Sequence, residues 1–493
     1  MKRAKHNLSH THLLTADMGK LIPISCVEGL PGDSIQHHTN VLLRVSPLAA
    51  PIMHSVTARV HHFFVPNRLL WDGWEDFITG GADGNNADTI PQHTVGEDPE
   101  NEILDYMGVP PIEGLEVNAL PVRAYNMIYN EFYRDQDLAT VREETETTLA
   151  NIAWGKDYLT SARPWTQKGP DITLPLGDRA PITGLGVQTP HSFVSGGINI
   201  AETGGVDTEY DYQQAAGATV PAGQIMMEGT EDGYPSVFAD LAEATGGNIN
   251  DIRRAFAIQR YQEARARYGS RYTEYLRYLG VANPKDSRLQ RPEFLGGGRT
   301  QLNFSEILQT APEQVGQQPT TEFGVGDMYG HGIGAMRSNK YRRFLEEHGY
   351  IISMLSVRPK AIYTNSLHRS WLRQDKEDYF QKELQHIGQQ EIFNSEVYAD
   401  ASSAGMETFG YNDRYMEYRE HPSYVSAEYR ELLDYWHMAR QFESPPALNQ
   451  SFTDCVPTKR IHNEQAHHAL WIMAQHKMVA RRIVSRNAAP RIF

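Results

Sequence analysis

The 493-residue chain contains only two cysteines, Cys26 and Cys455, near opposite ends. A pair so widely separated makes no disulfide framework and no zinc site, and it fits a reducing compartment such as the cytosol. Long apolar runs are missing too. The longest charge-free one near the middle, residues 350–357, is far too short to cross a bilayer. No apolar stretch follows the basic residues 1–5, so neither a secretory signal nor an anchor is expected. Catalytic signatures are equally scarce. Gly296, Gly297 and Gly298 precede Arg299 rather than a Lys-Ser/Thr pair, which excludes a phosphate-cradling loop and predicts a flexible turn. No G-x-S-x-G nucleophile elbow occurs. The doublets His37-His38, His61-His62 and His467-His468 would send adjacent rings to opposite faces of a strand. His10 and His12 could share a face but have no accompanying ligand set, so structural or surface histidines are expected. The adjacent Glu143 and Glu144 do not supply the separation that two glycosidase carboxylates need. No catalytic residue, cofactor site or metal site is assigned.

What the chain does have is uneven charge. Its 46 Lys and Arg face 61 Asp and Glu, for a net charge of −15. Taken as an average, that acidity argues against a nucleic-acid partner. The distribution says otherwise. Residues 81–120 hold nine acids and no Lys or Arg, whereas residues 251–300 hold 11 bases against five acids. Both ends are basic, with four bases to one acid in residues 1–20 and seven to two in residues 451–493. Such segregation predicts a protein with differently charged faces. The length suits two to four domains, or one β-rich domain with large insertions.

Periodicity favours the β-rich alternative. Residues 41–45 read as a short strand, and residues 55–65 alternate, with Val56, Ala58, Val60, His62 and Phe64 on one face and Pro66 closing the run. Residues 67–78 carry a helical stripe of Leu70, Trp74, Phe77 and Ile78, with Asn67 as a cap and Gly80-Gly81 as the stop. An acidic, proline-punctuated surface loop is expected over 81–121, and a helix over 122–133. Residues 164–235 form a Gly/Ala-rich surface excursion. Helices are predicted from Asn248 or Asn250 to Arg267, and over 270–279, 377–387 and 427–442, and a strand over 350–357. The run 468–484 is ambiguous, since Trp471, Met473, Gln475, Lys477 and Val479 fit a period of two while Leu470, Ala474 and Met478 also fit a helix; it is read as a strand. Strands this scattered point to one β-sandwich elaborated by its loops.

Two basic features stand out. In the first, Arg265, Tyr268, Arg271, Tyr272, Tyr275 and Tyr278 interleave guanidinium groups with aromatic rings. Single-stranded nucleic acid uses that mixture, and so do subunit interfaces. Glu263 and Glu274 interrupt the charge, which favours the interface. The second is terminal: Lys2, Arg3 and Lys5 at one end, Arg481, Arg482 and Arg486 at the other.

Residues 252–281, IRRAFAIQRYQEARARYGSRYTEYLRYLGV, followed by RLQRPEFLGGG at 288–298, closely resemble a block in the major capsid proteins of small single-stranded DNA phages, the Microviridae, especially gokushovirus-like members. SVTARVHHFFVPNRLLWDGWEDFITGG (55–81), HGYIISMLSVRP (348–359), FGYNDRYMEYREHPSYVSAEYR (409–430) and LDYWHMARQF (433–442) resemble further landmarks in the same order. Segments 81–121 and 164–235 match poorly. The resemblance implies a mainly β fold: an eight-stranded antiparallel jelly roll of viral capsid type with large helix- and loop-containing insertions, one domain over 1–493. It implies a structural, non-enzymatic coat protein that self-assembles into a T=1 icosahedral virion shell around a circular single-stranded DNA genome, formed in the host bacterial cytoplasm. Small DNA-binding, scaffolding or pilot viral proteins and a host cell-surface receptor are the implied further partners. On this reading Lys2, Arg3, Lys5, Arg481, Arg482 and Arg486 face DNA, and Arg265, Tyr268, Arg271, Tyr272, Tyr275 and Tyr278 lie between subunits. The alternative is a jelly-roll carbohydrate-binding protein or glycoside hydrolase.

Overall fold

A computed structural model describes residues 3–97, 100–170, 172, 182–183, 199–201, 209–211, 229–231, 234–235, 238–239, 249–269, 271–308, 328–400 and 403–486. The chain divides into two compact units, Met1–Thr166 with Arg265–Phe493, and Gln167–Ala264.

The larger unit is built on two antiparallel sheets. Their strands are β1 (Ala4–Asn7), β2 (His10–Ala16), β3 (Leu21–Gly29), β4 (Ser34–Val45), β5 (Val56–Pro66), β6 (Glu293–Gln301), β7 (Asn303–Leu308), β8 (Met328–Arg337), β9 (Tyr341–Phe344), β10 (Gly349–Pro359) and β11 (Leu470–Arg482). In the seven-stranded sheet β1 and β2 pair with β11, β11 with β4, β4 with β8 and β9, and β8 with β7. The other sheet has the order β6-β5-β10-β3. The expected alternation in β5 is present: Val56, Ala58, Val60 and His62 are buried on one face. β11 settles the ambiguous run 468–484 as a strand, buried at every second residue from Leu470 to Met478.

Ile22, Ile24, Leu43, Val60, Leu355, Val357 and Ile472 fill the space between the sheets. The four-stranded sheet is buried on its far side as well. Phe63, Ile352 and Met354 there meet Leu120, Tyr125 and Ile128 of the helix Leu120–Phe132 and the later residues Tyr363 and Phe452. The Tyr125 hydroxyl donates to the Leu21 carbonyl at 2.7 Å and fastens the helix to β3. On the seven-stranded sheet, Trp471, Met473, Gln475 and Lys477 of β11 are exposed on the outer face among the described residues.

Several local expectations are revised. The triplet Gly296–Gly298 is not a turn but the middle of β6, paired with β5. A Cβ on Gly297 would collide with the Val60 carbonyl oxygen, and one on Gly298 would stand 2.9 Å from Ser338 Cα, so backbone crowding explains these glycines. Asn67 is buried behind Pro66 in a short 3-10 turn, and the true helix begins at Trp74 and ends at Gly80 in the left-handed region. The acidic segment 81–121 is not purely surface, because Val95, Ile103, Leu104 and Tyr106 enter the core. The helices expected over 377–387 and 427–442 are separate 3-10 turns. Phe380, Ile387 and Leu432 are exposed, and in the second segment burial is confined to His437, Met438 and Ala439 beyond the last turn, so no continuous helical face is buried to offset the cost of nucleating a long helix. The helices Ile249–Tyr268 and Tyr272–Tyr278 flank Gly269 as expected. Within the smaller unit, the described residues include the short hairpin of Asn199–Ala201 with Glu209–Asp211. Asn248 and most of the excursion 164–235 lie outside the described residues.

Candidate nucleic-acid and assembly surfaces

The two ends of the chain meet on β1 and β11. Lys5 stands directly opposite Arg481, and both side chains are exposed. Arg3 is exposed, with its guanidinium 5.0 Å from the Phe344 ring centre. Arg486 is exposed beyond the end of β11, and Lys2 lies outside the described residues. Arg482 differs from its neighbour, because the two-residue period turns it to the other side of the sheet. Its Nε lies 2.8 Å from the carboxylate of fully buried Asp33, and its Nη2 donates to the Glu28 carbonyl at 2.6 Å. That charge is already matched inside the subunit.

Lys5 and Arg481 belong to a larger group that charge counting along the sequence misses. Strand register sets Arg44, Arg337, Arg342 and Lys477 on the same outer face, with Lys340 in the turn before β9. No Asp or Glu occupies an outward position on β1, β2, β4, β8, β9 or β11. Among the described residues none of these seven bases is within salt-bridge distance of a carboxylate. His38 sits opposite Lys477. Burial lowers its pKa, and the nearby Arg337, Lys477 and Lys340 push it the same way.

The Arg/Tyr block separates into two roles. Arg271 begins the helix Tyr272–Tyr278, and its backbone N–H donates to the Glu274 carboxylate at 3.2 Å. Its guanidinium donates to the carbonyls of Asn130 and Arg134, at 2.5 and 3.0 Å, where the helix Leu120–Phe132 ends. The Asn130 carbonyl, in the last turn, is one that a helix C-terminus leaves without a partner in its own ladder, and the Arg134 carbonyl lies just beyond the cap. Arg271 is therefore a brace within the subunit. Tyr268, Tyr272, Tyr275 and Tyr278 remain exposed, with Tyr268 and Tyr278 rings 4.9 Å apart. Arg265 is exposed beside them in sequence.

Four histidines that sequence spacing does not connect converge between the two sheets. His10 and His476 stack at 4.8 Å, and His37 lies 4.7 Å from His62 and 5.4 Å from His476. The His476 Nε2–H donates to the Ile24 carbonyl at 3.0 Å, which leaves Nδ1 as an acceptor. Thr39 Oγ1 at 2.9 Å and His37 Nε2 at 3.2 Å both donate to it. His37 Nδ1 then accepts from the Tyr341 hydroxyl at 3.0 Å, and His62 bonds Ser353 and Ser338 at 2.8 and 3.1 Å. In this arrangement His476 accepts at Nδ1 as a neutral ring. Burial lowers the pKa of His37 to about 2 and those of His62 and His476 to about 3. Among the described residues no three His, Cys, Asp or Glu are arranged to hold a metal ion. His476, bonded to the Ile24 carbonyl, and His37, against the His62 ring, tie the two sheets together.

The surfaces thus comprise a basic sheet face, an exposed tyrosine patch and a core whose polar layer is internally satisfied. Residues 1–469 match the family described as capsid protein (F protein). The chain belongs to this capsid family. It is 35% identical to capsid protein VP1 of Bdellovibrio phage phiMH2K over 92% of this chain and 88% of that protein. Capsid protein VP1 of Chlamydia phage 1 is 31% identical, covering 92% and 89%. Capsid protein VP1 of Spiroplasma virus 4 is 30% identical, covering 91% and 87%. The capsid protein is accordingly a structural component of a gokushovirus-like Microviridae virion, and it associates with copies of itself. Both conclusions agree with a mainly β, antiparallel fold.

Proposed function

We propose that this capsid protein closes into a T=1 icosahedral shell around circular single-stranded DNA, with an eight-stranded jelly roll as its framework. The nested pairing of strands supports the framework. Setting aside β1, β7 and β9, the first strand pairs with the last (β2 with β11) and the second with the seventh (β3 with β10). The third pairs with the sixth (β4 with β8), and the fourth with the fifth (β5 with β6). That is a long hairpin rolled into two sheets, the arrangement of viral jelly rolls. Two long insertions follow β5 and β10 and leave the strand order undisturbed.

In the shell, Lys2, Arg3, Lys5, Arg481 and Arg486 face the packaged phosphate, and Arg482 holds the strand that presents them. Tyr268, Tyr272, Tyr275 and Tyr278 meet a neighbouring copy, beside Arg265 and above the Arg271 brace. Segments 81–121 and 164–235 are insertions of one capsid domain, and 164–235 supplies the exposed feature that contacts the host receptor. Small DNA-binding, scaffolding or pilot proteins join assembly in the host cytoplasm. The exposure of the tyrosines and of Arg3, Lys5, Arg481 and Arg486 supports these assignments.

Electron microscopy of the purified protein tests the central reading. Closed shells of uniform size with nuclease-protected single-stranded DNA are expected. Small oligomers that bind carbohydrate would overturn it. Deleting residues 197–229 should leave shells intact and reduce attachment to host cells; lost assembly with normal attachment would refute the receptor assignment.

A further inference from the structure

We propose that the free edge of β7 is a self-association site. It adds to β7 of a second copy, antiparallel across a two-fold axis, and joins two seven-stranded sheets into one. The inference rests on the reading of the protein as the subunit of a closed icosahedral shell and names one of the contacts that close it.

Strand register shows which backbone groups are available. Within an antiparallel sheet, successive residues direct their N–H and C=O to alternate sides. On β8 the even-numbered residues serve the β4 side, because Gly330 exchanges both backbone bonds with Leu48, at 3.2 and 3.4 Å. The odd-numbered Tyr329, His331 and Ile333 therefore serve Ile307, Ser305 and Asn303 of β7. That directs the N–H and C=O of Phe304, Glu306 and Leu308 away from the sheet. Leu302 agrees with this direction, since its N–H donates to the Val56 carbonyl at 3.0 Å rather than toward β8. Among the described residues, Phe304, Glu306 and Leu308 have no backbone partner on the outer side.

The other edges of the two sheets are covered or blunted. Beside β3, the Leu21 N–H donates to the Ala150 carbonyl at 2.9 Å, and the Ile152 N–H to the Gly19 carbonyl at 2.8 Å. On β6, the Gly297 carbonyl accepts from the Asn339 N–H at 3.0 Å. On β2, the hydroxyl of buried Tyr106 donates to the Thr15 carbonyl at 2.8 Å, so an added strand would have to displace it. β1 and β9 are four residues long and carry Lys5, Arg342 and Arg343, charges that keep an edge from pairing. β7 has no Lys, Arg or Pro, and its ladder with β8 runs without a bulge. Its Ile307 and Leu308 are 52% and 51% exposed. An open apolar edge of this kind is a template for another strand.

Symmetry selects the occupant. A strand paired antiparallel with its own copy is related to it by a two-fold axis, and an icosahedral shell contains such axes. A register centred on Ser305 sets that residue opposite its own counterpart and Phe304 opposite Glu306 of the partner subunit. Centring on Glu306 would instead oppose two carboxylates, which is destabilising. An extended segment of a different protein is the competing occupant, and it has no need of the two-fold relation.

Ser305→Cys in the full-length protein tests the pairing. Its counterparts form a non-hydrogen-bonded pair with Cα atoms about 4.5 Å apart, within the span of a disulfide. Mild oxidation of assembled shells should give a disulfide-linked dimer on a non-reducing gel. The wild type, with Cys26 half-buried and Cys455 buried, should stay monomeric, and so should Glu306→Cys, whose counterparts are two residues out of register. A second variant, Glu306→Pro, removes an N–H that no bond inside the subunit uses. It should melt close to the wild type yet need at least a tenfold higher subunit concentration to form shells. Shells without a Ser305→Cys dimer would overturn the proposal and leave the capsid reading standing. Blocked assembly by Glu306→Pro without that dimer would give the edge to a different strand and overturn the two-fold pairing. A wild type that forms no shells fails the capsid reading, whereas a Ser305→Cys dimer that still links in solution supports the edge pairing alone.

Discussion

His37 Nε2 lies 3.2 Å from His476 Nδ1 between the two sheets, and the two rings share one proton-donor direction. His476 can accept because its Nε2–H is committed to the Ile24 carbonyl. Protonating Nδ1 would set two N–H groups against each other in a site whose burial already disfavours charge.

The consequence is a pH dependence with a definite sign. His37, His62 and His476 have folded pKa values near 2 or 3, below their ordinary value of 6.5. Between those limits the unfolded chain binds protons that the folded chain does not. Stability is therefore fully present above about pH 6.5 and falls as pH drops below it. Each independently neutral ring loses on the order of 1.4 kcal/mol per pH unit. The melting temperature should be flat from pH 7.5 to 8.5 and clearly lower at pH 5. An unchanged melting temperature from pH 7 to pH 5 would contradict the tautomer pattern.

Arg482 and Arg481 should separate cleanly on mutation. Arg482→Ala leaves the Asp33 carboxylate buried without its cation, a change that costs about 3–5 kcal/mol in comparable buried pairs. A large drop in the denaturant midpoint is expected. Arg481→Gln removes an exposed charge and should leave that midpoint nearly unchanged while reducing DNA content. Equal destabilisation by both would show that the strand's two faces had been misassigned.

Gly297 has no room for a methyl group against the Val60 carbonyl. Gly297→Ala should destabilise the β5–β6 pairing by about 1–3 kcal/mol through forced backbone displacement. Gly155, whose added Cβ meets nothing within 4 Å, is the comparison. Similar melting temperatures for Gly297→Ala and Gly155→Ala would remove the steric explanation.

Tyr272 and Tyr275 are exposed, so removing their rings leaves no cavity in the subunit. The double variant Tyr272→Ala, Tyr275→Ala should melt like the wild type yet need at least a tenfold higher subunit concentration to form shells. Central aromatic anchors in protein interfaces carry energies of this order. Normal assembly by the double variant would place the interface elsewhere.

Much of the framework was legible in the sequence because alternation is a local property. β5 and β11 carry burial at every second residue, β10 is a short charge-free apolar run, Pro66 marks a strand end, and Gly80 a helix end. The glycines of β6 misled because turn and crowded strand use the same residue for different reasons. The segments at 377–387 and 427–442 misled because helical spacing without a continuous buried face yields only single turns.

The sequence by itself determined the β-rich class, the kinship with phage capsid proteins, the basic chain ends and the exposed Arg/Tyr block as a feature of interest. Tertiary structure alone decided which charges act together. Lys5 meets Arg481, and Lys477 meets His38, through pairings that span most of the chain. A side chain's face on a strand follows from a period of two, but its neighbours follow from register between distant strands. For that reason Arg481 joins an outward basic surface, whereas Arg482, one residue later, is locked to Asp33 beneath it.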